Sequence, residues 1–364
     1  MAKTVRYFLG ANSPQGPVSR FDQLGKAGAR RCWVVTGGSA RGRAWVLSQA
    51  GEALGEEEPR EEILSLQNGR ELAGVLFPRR GLSAAGEEGA WEPWLRCPGA
   101  LERVVSLWDC LDQERLFDQK KDLLQLTEEE KNLRGDARGY LYAAGALMGE
   151  LASVGNSAMD REKLLGYARR LALREFPRPK GEGKRGRESV RFLSALTGEG
   201  PVLLRETVAL AAPRTIAIED SWGAVSNALL EALRELALEA GVDVVSCRCP
   251  LFPFTKLEYL LLPSLGLGFF AKNPGNAKQL EGLAERTIHA SRFSRMDLLR
   301  ERRGRSSFLR KAAAGMLNQA AEVLGRAEQV RQEKDALCHA AMDQAALEEI
   351  ARRTAAEIKK AALE

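Results

Sequence analysis

The sequence predicts an α/β fold built twice, each copy a mainly parallel sheet covered by helices and extended by a helical hairpin. Three observations lead there. Four segments recur in the same order at a spacing of about 184 residues. Short apolar strands alternate with helix-like stretches in both copies. Long runs with apolar residues at helical spacing then close each copy.

The repeat is visible residue by residue. YFLGANSPQGPV at 7–18 aligns without gaps on RFLSALTGEGPV at 191–202, so that Phe8, Leu9, Ala11, Gly16, Pro17 and Val18 recur as Phe192, Leu193, Ala195, Gly200, Pro201 and Val202. CWVVTGGSARGRAWVL at 32–47 matches TIAIEDSWGAVSNALL at 215–230. LAGVLFPRRGLSAA at 72–85 matches LEYLLLPSLGLGFF at 257–270, placing Pro78 on Pro263 and Gly81 on Gly266. SAMDREKLLGYARRLA at 157–172 echoes AAMDQAALEEIARRTA at 340–355. Matches in one order at nearly one spacing mark an ancestral duplication.

The elements follow in the same order in both copies. An opening strand at 5–9 or 190–194 leads into a glycine-containing turn. A strand at 32–36 or 215–219 is followed by a loop and a helix, at 43–54 or 224–240. VDVVSCRC at 242–249 reads as a strand whose first-copy partner is EEILSL at 61–66. Further strands fall at 73–77 and 81–85, and at 259–262 and 266–271. Helical periodicity fills 111–150 and 161–173, then 307–337 and 343–361. These stretches are predicted to form hairpins that pack on the sheet or project from it. The first copy spans 1–178 and the second 190–364, joined by a linker at 179–189 within FPRPKGEGKRGRES, where prolines, glycines and charges break the periodicity.

The strand-to-helix junction at 36–44 carries the main chemical signal. A phosphate loop has the form G-x-x-x-x-G-K-[ST]: its glycines let successive amides face the phosphates, and the next helix adds its N-terminal dipole. A lysine then reaches the β and γ oxygens, and a hydroxyl helps hold Mg²⁺. Gly37 and Gly42 have this spacing and Gly38 adds freedom, but Arg43 stands at the lysine position and Ala44 at the hydroxyl. A planar guanidinium is a different object from a compact ammonium, and an alanine cannot ligate a metal. In the second copy, IEDSWGAVSN at 218–227 puts Asp220 and Val225 at the glycine positions, with Ser226 and Asn227 at the lysine and hydroxyl positions. The candidate binding residues are therefore Gly37, Gly38, Gly42 and Arg43, with no catalytic and no metal-binding residue assigned.

Other chemistry has little material. Glu87 is a candidate remnant of a metal-supporting acid, read as a surface glutamate, and Asp109 as the start or cap of a helix. Only His289 and His339 are present, and His339 beside Cys338 reads as structural or surface rather than as a catalytic dyad. Six cysteines are too few for a disulfide scaffold, and Cys247 and Cys249 read as buried strand thiols. The chain is 45% apolar and 28% charged, with a formal charge of +5. It shows no apolar run of membrane-spanning length and no secretion signal in its opening residues, which leads to the expectation of a cytoplasmic protein without a membrane partner. Basic residues cluster at 169–191 and 292–311; a nucleic-acid backbone binder would join them in one face.

As a whole the arrangement resembles a little-characterised family of bacterial ATPase-like proteins with two tandem P-loop domains. The likeness rests on YFLGANSPQGPVSRFDQL, the strand before GGSARGRA, VDVVSCRCPLFPFTKLEYLLLPSLGL, CPGALERVVSLWDCLDQERL and the two AMD-containing helices. The resemblance implies duplicated P-loop NTPase-like three-layer domains. Members carry loops of the form GGPGTGKS, whose lysine and hydroxyl fall here on Arg43 and Ala44, and in the second copy on Ser226 and Asn227. They also tend to have an aspartate-glycine and a histidine just beyond Ala85, which GEEGAWEP lacks.

The expectation is a degenerate ATPase-like protein. It would lack efficient hydrolysis and ligated Mg²⁺, keep weak binding of ATP or another nucleotide or phosphate in the first copy, and act as a scaffold or regulator through a protein partner. Two alternatives stay open: an active ATPase with Arg43 in place of lysine, and the nucleic-acid backbone binder. The two similar halves could also face each other as an internal pseudo-dimer.

Overall fold

A computed structural model of the chain describes residues 4–25, 29–87, 96–177 and 184–364. In the first half, β1 (Thr4–Tyr7) leads into a hairpin, β2 (Gly10–Ser13) and β3 (Gly16–Ser19). There follow β4 (Arg31–Thr36), α1 (Ala40–Glu52), β5 (Arg60–Leu64), β6 (Leu72–Phe77), β7 (Leu82–Gly86) and β8 (Glu102–Ser106). Three helices complete it: α2 (Gln113–Asp118), α3 (Lys120–Ser157) and α4 (Arg161–Glu175).

The second half repeats this plan. A strand, β9 (Glu188–Arg191), and a hairpin, β10 (Ser194–Thr197) and β11 (Gly200–Leu203), precede α5 (Arg205–Ala211). Then come β12 (Arg214–Glu219), α6 (Ala224–Glu239), β13 (Val244–Cys249), β14 (Phe252–Leu262), β15 (Leu267–Lys272) and β16 (Arg286–His289), followed by α7 (Met296–Glu301), α8 (Arg303–Ala340) and α9 (Gln344–Leu363). The long helices α3 and α8 both have 38 residues.

Each half builds a six-stranded sheet of the same topology, β1-β5-β6-β7-β4-β8 and β9-β13-β14-β15-β12-β16. The sheets are mainly parallel but mixed, because β6 and β14 run antiparallel to both of their neighbours. The connection explains this. Only the short Pro78–Gly81 and Pro263–Gly266 turns separate these strands from β7 and β15, and a parallel crossover needs a dozen residues or more. Gly81 and Gly266 take φ of +65° and +58° there, a region open to glycine. Strand β14 also starts well before the predicted 259, since Phe252 pairs across a bulge with Cys249. Helix α1 begins at Ala40 rather than 43 because the Ser39 hydroxyl caps it, accepting from the Gly42 amide at 2.9 Å. Asp109 lies in a short 3-10 turn and caps nothing; Asp112 caps α2, accepting from the Arg115 amide. Of the predicted linker, 179–183 lie outside the described residues.

The strands alternate their faces, and both faces are covered. Trp33 and Val35 of β4 face a core that includes Val46 and Leu47 of α1. Ile216 and Ile218 of β12 face Leu229 and Leu233 of α6. The opposite faces of both sheets share one core, in which Tyr7 and Ile63 meet Tyr259 and Phe270.

The helical extensions are exchanged between the halves. Leu347, Ala351 and Ile358 of α9 complete the core of the first half, whereas Leu164, Ala168 and Leu171 of α4 complete that of the second. Helices α3 and α8 pair antiparallel, with Glu130 meeting Lys334 and Glu150 meeting Arg305. The duplicated AMD motif stitches the exchange. Ala158 O accepts from Arg295 N and Ala341 O from Asp112 N, each at 2.8 Å. Asp160 N donates to Phe293 O and Asp343 N to Cys110 O. The same two aspartates then cap α4 and α9 through their side chains.

Candidate functional site

The first loop runs from the end of β4 into α1. Gly37 and Gly38 have φ of +74° and +61°, and both lie under other groups. A β-carbon on Gly37 would come within 2.7 Å of the Trp108 ring, and one on Gly38 within 2.9 Å of the Leu107 side chain. The glycines thus serve both the turn and the close approach of these side chains. Gly42 lies inside the first turn of α1, where a β-carbon would meet Met342 at 3.0 Å.

Arg43 folds back on its own loop. Its guanidinium donates to the carbonyl oxygens of Gly37 and Gly38 at 2.9 and 3.1 Å.

The amides that a phosphate would use are engaged by the protein itself. Asp335, at 7% exposure, reaches in from α8 and accepts from Ala40 N through one carboxylate oxygen and from Arg41 N, at 3.4 Å, through the other. The Arg41 guanidinium approaches the same carboxylate at 3.5 Å. Gly42 N donates to the Ser39 hydroxyl, Arg43 N to the Ser39 carbonyl, and Ser39 N faces the Met342 sulfur at 3.4 Å. Gly37 N approaches a Glu87 carboxylate oxygen at 3.4 Å. Glu87, read from the sequence as a surface glutamate, stands half-buried at the loop, at the carboxyl end of β7.

His339 and Cys338 also reach this place. The Ser39 hydroxyl lies 2.9 Å from His339 Nδ1 and 3.1 Å from the Met342 sulfur. Burial and the nearby Asp335 push the Cys338 thiol up, the reverse of what a nucleophilic cysteine needs. A cleft of about 1220 Å³ opens beside the loop between the sheet and the two long helices, lined by Gly37, Arg43, Glu87, Trp108, Arg138 and Asp335 among others. In its wall, Glu130 is pushed up by burial, but hydrogen bonds and charge from Lys334 and Arg134 outweigh this and hold it below the usual carboxylate range.

The second loop carries its own anion. Asp220, buried in the loop, accepts from Trp222 N at 2.9 Å and from Ser226 N, in the first turn of α6, at 2.8 Å. Asn227, at the hydroxyl position, accepts from Leu257 N at 2.9 Å and so pins β14. Lys256 faces this loop; burial would lower it, but Cys249, Glu258 and Asp220 hold it above its ordinary value and therefore charged. Trp222 packs on α3, where a β-carbon on Gly155 would come within 2.7 Å of it. His289 bonds Glu219 at 2.8 Å, away from any nucleophile.

Ala44 offers no oxygen to a metal, and each amide from Ser39 to Arg43 has an acceptor within the chain. Among the described residues, no group of three or more His, Cys, Asp and Glu could hold a metal ion. Cys247 and Cys249 are buried on β13, where burial pushes Cys249 up to about 12. Of the basic clusters, Arg185, Arg187 and Arg191 face Glu235, Asp243 and Glu61, and Arg305 faces Glu150. Residues 178–183 of the first cluster lie outside the described residues. No described helix is long and apolar enough to cross a membrane.

No known protein-family model, curated protein or solved structure matches this chain.

Proposed function

We propose that this protein is a degenerate tandem P-loop ATPase-like protein, without efficient ATP hydrolysis, that works as a scaffold or regulator through contacts with another protein. One observation carries the reading. In both copies a carboxylate of the chain itself engages the first turn of the helix that follows the loop: Asp335 through two amides of α1, Asp220 through one amide of α6. A phosphate at such a helix start depends on free amides and a favourable dipole. Here it must displace a residue that already supplies the negative charge, so nucleotide or phosphate binding in the first copy is weak. Arg43 Nη1 donates to two loop carbonyls, and the Ala44 position holds no metal ligand.

The exchanged helices hold the chain together. They bind the halves into one body, so that neither core is complete without the other half. Phosphate release from Mg-ATP tests the proposal, with Arg43→Ala as comparison. The expected result is no turnover above background in either protein. Turnover in the wild type that Arg43→Ala removes would overturn it and favour an ATPase in which arginine replaces lysine.

A further inference from the structure

Resting on the reading of the first loop as an altered phosphate loop, we propose that Asp335 is that loop's resident anion, a latch between the halves that an oxyanion entering the cleft displaces. The carboxylate has the charge and the paired acceptor oxygens of a phosphoryl group, and it sits on the first two amides of α1, where an anion gains most from the helix dipole. It arrives from 295 residues away in sequence. Burying it would be costly if it had no partners. Its partners are those two amides and the Arg41 guanidinium, whose own side chain is 51% exposed.

The second copy marks the difference between a latch and a permanent cap. Asp220 belongs to the loop itself and holds one loop amide, Trp222 N, and one amide of the first turn of α6, Ser226 N, so it fills the seat from within. The matching place to Asp335 on α3 is Ala152, which has no charge to offer. In the first copy, by contrast, the carboxylate comes from a different element, α8, through a non-covalent contact with α1, and Asp335 itself lines the cleft. An oxyanion reaching Ala40 N and Arg41 N must break the Asp335 hydrogen bonds, so occupancy of these amides and the Asp335 contact with α1 exclude one another.

The test uses the full chain, Asp335→Ala and Asp335→Asn, with inorganic phosphate as the probe in calorimetric titration and thermal unfolding. Asp335→Ala is expected to bind phosphate at least roughly tenfold more tightly than the wild type, since the competing charge-assisted hydrogen bonds are gone. Phosphate should raise its Tm more than that of the wild type, and adding Arg41→Ala should reduce the gain. If Asp335→Ala does not fold, Asp335→Asn keeps an acceptor while removing the charge and is expected to show the same direction of change. A folded variant that binds phosphate no better than the wild type would overturn the latch. So would a wild type that binds phosphate as tightly as the variant. Neither result touches the degenerate reading, which fails separately if the wild type turns over Mg-ATP.

Discussion

Phe8 and Phe192 exchange a reciprocal pair of backbone hydrogen bonds, each amide donating to the other's carbonyl at 2.9 Å. The two residues are equivalents in the repeat, and both side chains are fully buried in one small core with Leu64, Leu66 and Ala195. A residue that pairs with its own repeat equivalent lies on the pseudo-twofold axis between the copies. The bridges Leu111 to Met342 and Met159 to Ser294 are related by the same symmetry.

From this position, Phe8→Ala and Phe192→Ala should be matched in cost. Each removes a buried ring at the junction of the halves, with a loss of about 3–5 kcal/mol for such a truncation. Urea unfolding of both variants checks it, the expectation being similar midpoints well below that of the wild type. Retention of wild-type stability by either one would contradict the axial core.

The exchange of α9 predicts where a defect in it is felt. Ile358→Ala, at a fully buried position, should cost about 2–5 kcal/mol. Because Ile358 packs with Val46 and Leu47, amide exchange should rise first in α1 and β4, in the opposite half of the sequence, before it rises in α6 or β12. Faster exchange in α6 alone would argue against the exchanged arrangement.

Restoring the loop chemistry at two positions should not restore binding. In Arg43→Lys combined with Ala44→Thr, Asp335 and Ser39 still hold the first-turn amides. Calorimetry with Mg-ATP is expected to show no gain over the wild type. Tight binding by the double variant would mean that only those two side chains separate this loop from a working one.

Glu130 gives a pH dependence with a defined sign. Its carboxyl is held below its ordinary 4.5 in the folded protein by Lys334 and Arg134, against the upward push of burial. The folded state therefore binds the Glu130 proton more weakly than the unfolded chain does. That stabilisation is fully present above about pH 5 and is lost as pH falls through the lowered value. Glu130→Gln should be less stable than the wild type at pH 7, with a gap in Tm that narrows toward pH 3. A gap that stays constant with pH would remove the ionised carboxylate from the α3–α8 contact.

Much of the fold was legible in the sequence because duplication prints every element twice. A weak strand such as EEILSL gains support from VDVVSCRC, and Pro78 and Gly81 gain theirs from Pro263 and Gly266. The exchange of helices was not legible. The apolar stripe of REKLLGYARRLAL says that one face is buried, but the same stripe fits the sheet of either copy. At the site, the glycines and the missing lysine and hydroxyl could be read directly, whereas the occupant could not. Asp335 in RQEKDALCHA looks like one more charge on a solvated helix, and only the packing of α8 against α1 gives it a role. His339 was hidden in the same way, since its contact with Ser39 spans 300 residues. Asp220 carried a signal of a different kind: an acid at that position would repel phosphate, and its place two residues before Trp222 lets it accept from the Trp222 amide.

Titration of the wild-type protein with ATP, with and without Mg²⁺, asks whether Asp335 and Asp220 keep phosphate from the two loops. The expected result is no saturable heat at micromolar ATP, no enhancement by Mg²⁺, and no loss on changing Arg43 to alanine. Tight, Mg²⁺-dependent binding that Arg43→Ala abolishes would contradict it.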